Sequence, residues 1–304
     1  MARVKDASRS RNRIRKTKED IVINTVVYVL LTLIGIATFY PLYYVFVASF
    51  SSSSAIAAAP GRLLWIKDFT AGAYKLTLSH PLLFNGYKNT LIIMAVGLPL
   101  NIVLTIIAGY FMASTNMMFK KVLTWMMLFT MYFSGGLVPG YLNIDQLGLM
   151  NTFWAIILPG ALSVYNAIIC KSAIEAIPQS LFEAAYIDGA SEIKILTRIT
   201  VPLIIPTLAV LTLYYGVGHW NAWFNASIYI KENIKLPLQN ILRSILLAND
   251  QTLNVAAATS DTYDEFAEAI KYSSIVISTV PILCVYPFIQ RYFVKGVMIG
   301  AVKG

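Results

Sequence analysis

Six long apolar stretches without a single charged residue constrain this chain more than any other feature. A bilayer core about 30 Å thick needs about 20 predominantly apolar residues for each helix that crosses it. The chain is 57% hydrophobic and only 13% charged, with a mean hydropathy of +0.65, which excludes an ordinary soluble domain. We therefore predict an all-α membrane protein. Its six transmembrane helices are predicted over 21–48, 90–114, 122–139, 152–170, 203–230 and 272–290.

The distribution of Lys and Arg predicts which side of the membrane each loop faces. An even number of spans places both termini on one side, and sixteen of the 24 Lys and Arg residues lie on that side. The other eight lie outside, seven in the outer loops 49–87 and 227–271 and one, Lys88, directly after the first loop. Because loops rich in Lys and Arg stay cytoplasmic, we predict a cytoplasmic basic N-terminus (1–20), a six-span domain (21–294) and a cytoplasmic tail (295–304). The basic segments predict contact with anionic membrane lipid and no nucleic-acid partner.

The sequence lacks the residues that chemistry or ion coupling would need. Neither Gly-x-x-x-x-Gly-Lys-Ser/Thr nor Gly-x-Ser-x-Gly occurs, so there is no phosphate-binding loop and no nucleophile elbow. His80 and His219 are too few and too far apart for a metal site, while Cys170 and Cys284 lie in apolar runs. The uncharged spans disfavour coupling to protons or sodium. We predict no catalytic residue, no metal and no cofactor, so another chain must supply the energy for any transport.

A polar segment at 178–202 interrupts the apolar chain between the fourth and fifth stretches. Ser180 stands three residues before Glu183, the spacing of a capping box at a helix start. Gly189 is predicted to end this short helix because glycine accepts a positive φ. A second segment is predicted from Ser191 to Pro202.

One face of the short helix is predicted to be apolar. Phe182, Ala185 and Tyr186 share that face, and we expect it to insert into a groove of a partner protein. The alternative is a capped amphipathic helix that lies on the inner leaflet.

The whole segment resembles the EAA loop of binding-protein-dependent ABC importers. Glu183-Ala184-Ala185 is followed after three residues by Gly189, after nine more by Ile199, and one residue later by Val201-Pro202. Every spacing agrees with the family pattern, and Val201 in place of Leu is the one departure. The segment from Gly135 to Ala155 and the tail 292–304 are similar to permeases of the carbohydrate-uptake, maltose-importer-like group, closest to the second permease of complex-polysaccharide or oligosaccharide importers. The likeness covers most of the chain from about Asn89 onward.

The resemblance implies a type I ABC importer permease fold with a cytoplasmic coupling helix. It implies a bacterial cytoplasmic membrane, a second and different permease, two ATPase subunits that hold ATP and Mg, and an extracellular sugar-binding lipoprotein. The tail 296–304 is expected to reach the ATPase interface. The residues predicted to contact the ATPase are Ser180, Phe182, Glu183, Ala184, Ala185, Asp188, Gly189, Ala190 and Pro202.

The fifth stretch carries a set of aromatic and amide side chains that suit a sugar pathway. Flat rings with hydrogen-bonding tips bind the apolar face and the hydroxyls of a sugar together. The candidate pathway residues are Tyr214, Tyr215, His219, Trp220, Asn221, Trp223 and Asn225. Anchoring at the membrane interface is the alternative, and Asn101 is predicted to bridge spans rather than to contact substrate.

The sequence is also compatible with two other functions. One is an ABC permease for a non-sugar solute, and the other is a channel or facilitator that works without nucleotide. The sequence also leaves open which oligosaccharide is carried and which ATPase is used, although the outer-loop Lys and Arg residues favour acidic sugars.

Overall fold

A computed structural model describes residues 17–114, 117–248 and 268–284, together with residues 266 and 287. Within this part of the chain the fold is entirely helical. We number the α-helices α1 (Lys18–Ser49), α2 (Ser53–Ala58), α3 (Gly72–Leu78), α4 (Leu83–Ala113), α5 (Lys120–Tyr132), α6 (Leu137–Gln146), α7 (Trp154–Ile157), α8 (Val164–Glu175), α9 (Gln179–Ile187), α10 (Glu192–Ile195), α11 (Val201–Leu203), α12 (Ile205–Asn221), α13 (Phe224–Tyr229), α14 (Leu238–Ala248) and α15 (268–284).

Helices α1 and α4 confirm the first two predicted spans. Each is long and apolar enough to cross a membrane, and a helix of 31 residues is about 46 Å long. The Thr17 hydroxyl accepts a hydrogen bond from the Asp20 N–H, and the Asp20 carboxylate accepts one from the Thr17 N–H, so that α1 begins with a capping box.

The next three predicted spans are broken helices, and the predicted continuous boundaries were wrong. Helices α5 and α6 meet at 114°, the segment Trp154–Gly160 meets α8 at 50°, and the segment Glu192–Leu203 meets α12 at 81°. The described residues thus hold two long spans, or up to five if each bent pair is one span. Six remains a prediction, because 285–290 of the last stretch lies largely outside the described residues.

Each break has a local cause in the sequence. Between α5 and α6, Gly136 adopts a φ of +90°, which favours glycine. Pro159 lies at the second break, and Pro206 lies just after the third, where a missing N–H and a bulky ring disfavour a straight helix. Helix α12 ends at Asn221, where Ala222 has extended backbone, so Trp223 and Asn225 lie outside this helix although they were predicted in the fifth span.

Helix α4 is the central helix of the described fold, since it packs against α8, α12 and α14. Near its N-terminal end, the Asn89 amide donates to the carbonyls of Ile234 and Leu236 at 2.7 and 3.0 Å, and the Leu238 N–H donates to Thr90 Oγ1 at 2.9 Å. These contacts hold helix α14 firmly against α4.

Candidate functional site

The segment predicted to couple to an ATPase forms a separate short helix, α9, between two turns. Pro178 is its N-cap, with extended backbone, and no side chain caps this end. The predicted capping box of Ser180 and Glu183 was therefore wrong. The helix begins at Gln179, two residues earlier than that motif requires, because proline fixes the backbone at the entry.

The C-terminal end of α9 confirms the predicted role of Gly189. Its φ is +69°, and the helix closes in a Schellman motif. The Gly189 N–H donates to the Tyr186 carbonyl at 3.0 Å, and the Ala190 N–H donates to the Ala185 carbonyl at 2.9 Å. Asp188 is the exposed C-cap residue between them.

The two faces of α9 are opposite to the prediction. Ala185 is buried, and the half-buried Phe182 packs against a core of the chain's own helices that contains Cys170 and Leu211. Phe182 and Ala185 therefore pack on the chain's own helices, and their contact with an ATPase stays a prediction. Glu183, Ala184 and the 86% exposed Ile187 form the free face instead.

Glu192, the first residue of α10, joins α9 to the central helix. Tyr110 Oη at the end of α4 donates to Glu192 Oε2 at 2.5 Å, and Tyr186 Oη of α9 donates to Glu192 Oε1 at 2.8 Å. The hydrogen bond with Glu192 raises the pKa of the Tyr186 phenol above its ordinary value. One carboxylate thus fixes the angle between α9, α10 and α4.

Sequence reasoning missed this arrangement of Tyr110 and Glu192. The only signal in the sequence is the pair Ser191-Glu192 at a helix start, which predicts a cap and not a bridge between helices. Pro202 lies in the segment that follows, where a π-turn at Leu196–Thr200 leads into the 81° bend before α12.

Three of the predicted pathway residues use their polar atoms inside the protein. Tyr215 Oη lies 2.7 Å from Thr105 Oγ1 and accepts the Ser163 N–H at 3.0 Å. The Trp220 indole donates to the Ser278 carbonyl at 3.1 Å. Both side chains are more than nine-tenths buried, so their hydrogen bonds join helices to one another.

His219 belongs to a third internal network, which stabilises the break in the fourth span. Its Nε2 lies 2.7 Å from Asn101 Oδ1. The Asn101 amide donates to the carbonyls of Gly160 and Ala161 at 3.0 and 2.8 Å, which the break leaves without helical partners. The prediction that Asn101 bridges spans is confirmed.

The remaining pathway candidates are more accessible. Tyr214 and Asn221 are exposed, while Trp223 and Asn225 are half-buried. Their part in a pathway stays a prediction. Within the described residues no group of three or more His, Cys, Asp or Glu side chains forms a candidate metal site, and the tail from Lys295 to Gly304 lies outside the described residues.

Comparisons with known proteins agree on one family. The profile described as "Binding-protein-dependent transport system inner membrane component" matches residues 13–299. Protein LplC of Bacillus subtilis (strain 168) is 38% identical over 274 residues, which cover 89% of this chain and 91% of that protein. The polygalacturonan/rhamnogalacturonan transport system permease protein YtcP of the same organism is 31% identical over 278 residues, which cover 91% and 97%. A solved structure of a bacterial ABC transporter involved in the import of the acidic polysaccharide alginate matches with a TM-score of 0.80 at 28% identity, covering 91% of this chain and 98% of that one.

Proposed function

We propose a function from the premise that this chain belongs to the family of binding-protein-dependent transport system inner membrane components. The chain is a permease subunit of an ATP-driven importer for oligosaccharides. The family predicted from the EAA-like loop and the type I ABC importer permease fold are both confirmed. The names of two similar proteins specify polygalacturonan or rhamnogalacturonan transport and alginate import. These names support a saccharide cargo for this chain.

The observation that carries the proposal is the exposed face of α9. A nine-residue helix with one face packed on its own core and the other free is a suitable element for a partner groove. Ile187 is 86% exposed at the end of this face, next to the Gly189 turn. With Glu183 and Ala184 it completes one exposed face on a short, fixed helix, and we expect a partner to cover that face.

We assign that partner as the ATPase subunit, with two copies that bind ATP and Mg. A second, different permease subunit completes the translocation pathway, and an extracellular sugar-binding lipoprotein delivers the oligosaccharide. Both termini and α9 face the cytoplasm, as the Lys and Arg distribution predicts. In this arrangement, closure of the ATPases displaces α9, and Glu192 passes the displacement to α4 through Tyr110.

The test is a charge on the exposed face in the complete reconstituted transporter. Ile187→Asp is expected to lower sugar-stimulated ATP hydrolysis and uptake by about tenfold or more, because an unpaired carboxylate is buried in the interface. Ile234→Asp is the matched control. It makes the same change at a 57% exposed position of the opposite, outer loop, and it is expected to leave both activities unchanged.

Two results would contradict the proposal. One is Ile187→Asp with full assembly and full activity. The other is sugar movement through liposomes that contain this chain alone, which is the behaviour of a nucleotide-independent facilitator.

A further inference from the structure

A small pocket lies where the outer-loop helix α14 meets α15 and the segment after α12. Its volume is about 200 Å³, which is below the range of about 300–1,000 Å³ for complete small-molecule sites. It therefore suits a single ring or end group of a longer ligand. Its polar lining consists of Trp223, Gln239, Arg243, Ser274 and Ser278, and three aliphatic side chains complete the wall.

Internal hydrogen bonds fix the walls of this pocket in the structure. The Asn240 amide donates to the Trp223 carbonyl at 3.0 Å, which holds the segment after α12 against α14. On the opposite wall, the Ser278 carbonyl accepts the Trp220 indole N–H. A pocket with walls fixed in this way binds a ligand without a large ordering cost.

The face of the Arg243 guanidinium is held at the pocket, while its N–H edge has no ion-pair partner among the described residues. Its guanidinium carbon lies 3.8 Å from the centroid of the Trp223 ring, a cation–π contact. No carboxylate of the described residues is within ion-pair distance of Arg243. A planar guanidinium with a free edge matches the two oxygens of a carboxylate.

Ser274 supplies a second, independent indication of a ligand. This residue is 1% exposed, and its Oγ has no hydrogen-bond partner in the described part of the chain. Buried hydroxyls almost always have a partner. Because Ser274 lines the pocket, rotation of its side chain toward the pocket would let a polar group of a ligand supply the missing hydrogen bond.

We propose that this pocket binds one uronate unit of the transported oligosaccharide, with the carboxylate on Arg243 and ring hydroxyls on Gln239 and Ser274. The proposal rests on the proposed function, since it specifies the sugar class. The pocket lies between α14, in the loop 227–271 predicted to face outward, and α15 in the last predicted span. This is the side of the membrane on which a sugar enters the transporter. Trp223 is thus a positioning residue for Arg243, not a platform for the sugar.

The experiment compares two substrates of equal length in the complete reconstituted transporter. The substrates are trigalacturonate and its carboxyl-reduced, neutral counterpart, each presented with the binding protein. Arg243→Gln is expected to raise the KM for trigalacturonate uptake about tenfold or more, since a charge-assisted pair is lost, and to leave the KM for the neutral sugar unchanged. Arg243→Lys keeps the charge without the bidentate geometry. Its KM for trigalacturonate is expected to lie between that of the wild type and that of Arg243→Gln.

Two matched variants separate this pocket from general effects of charge. Arg62→Gln removes an exposed arginine from the other outer loop and is expected to leave both KM values unchanged. Ser274→Ala is expected to raise the KM for trigalacturonate less than Arg243→Gln does, because it removes one neutral hydrogen bond.

An equal loss for both sugars would overturn the proposal, because Arg243 would then contact a carboxylate of a partner subunit instead of the substrate. Unchanged kinetics in Arg243→Gln, or wild-type uptake of the neutral sugar alone, would overturn it as well. In each of these cases saccharide uptake persists and the proposed function stands. Failure of the proposed function is different, since the wild type would then move neither sugar and loaded binding protein would not stimulate ATP hydrolysis.

Discussion

Replacing Asn101 with leucine removes the side chain that stabilises the break in the fourth span. Asn101 is fully buried, and its amide donates to the carbonyls of Gly160 and Ala161 while its oxygen contacts His219. Leucine has a similar volume but no polar atom. The variant therefore leaves two backbone carbonyls and one imidazole without their partner, with little change in packing.

The size of the effect follows from these three contacts. Hydrogen bonds between membrane helices contribute about 0.6 kcal/mol each on average and about 1.7 at most. Three such bonds are therefore expected to contribute about 2 kcal/mol in total. The cost of leaving buried polar groups without partners raises this figure, so about 2–4 kcal/mol is the expected loss for Asn101→Leu.

The assay is thermal unfolding of the purified transporter in detergent. With an unfolding entropy of about 2.1 cal/mol/K per residue, a loss of about 2–4 kcal/mol lowers the unfolding midpoint of a 304-residue chain by about 3–6 °C. Asn221→Leu is the matched control, since Asn221 is exposed at the end of α12 and its loss is expected to cost less than about 0.5 kcal/mol. Equal midpoints for Asn101→Leu and Asn221→Leu would refute the argument that this amide stabilises the break.

Two further predictions concern close packing and pH. Gly97→Ala places a Cβ about 2.8 Å from His219 Nε2, and this overpacking is expected to lower the stability of the protein by about 1–3 kcal/mol. The control in the same unfolding assay is Gly35→Ala, whose Cβ meets nothing within 4 Å. Hydrogen bonding, chiefly from Lys235, lowers the pKa of the Glu232 carboxyl. The ionised Glu232 carboxylate therefore contributes its full stabilisation at a pH above the ordinary carboxyl pKa, and this contribution is lost as the pH falls through the lowered pKa of the folded protein. Glu232→Gln is accordingly expected to destabilise the protein near neutral pH and to reduce the further loss of stability in acid, and an unchanged pH profile would contradict this.

The parts of the fold that the sequence predicted well are those that depend on local composition. Helices α1 and α4 are long apolar runs that stay continuous through one internal proline each, Pro41 and Pro99. The turn at Gly189 needs only a residue that accepts positive φ. The EAA-like spacing is likewise local, which is why it identified the family. None of these features depends on which residues lie opposite in the folded chain.

The features that sequence reasoning missed depend on distant partners. The break near Gly160 is stable because Asn101, 59 positions away, caps a freed carbonyl. Phe182 faces inward because a core from other helices lies on that side of α9. An apolar face at helical spacing predicts burial but does not specify whether its own chain or a partner covers it.

Helix α4 connects the two regions for which we propose functions, α9 and the pocket at Arg243. Near one end, Tyr110 is bonded to Glu192 beside α9, and near the other, Thr90 binds the start of α14, which carries Arg243. Twenty residues of helix separate Thr90 from Tyr110, a distance of about 30 Å that equals the bilayer core. A continuous helix transmits a displacement at one end to the other, so we expect movement of α9 to change the position of the outer pocket. Loss of the Tyr110 hydroxyl would then weaken that connection while leaving both regions intact.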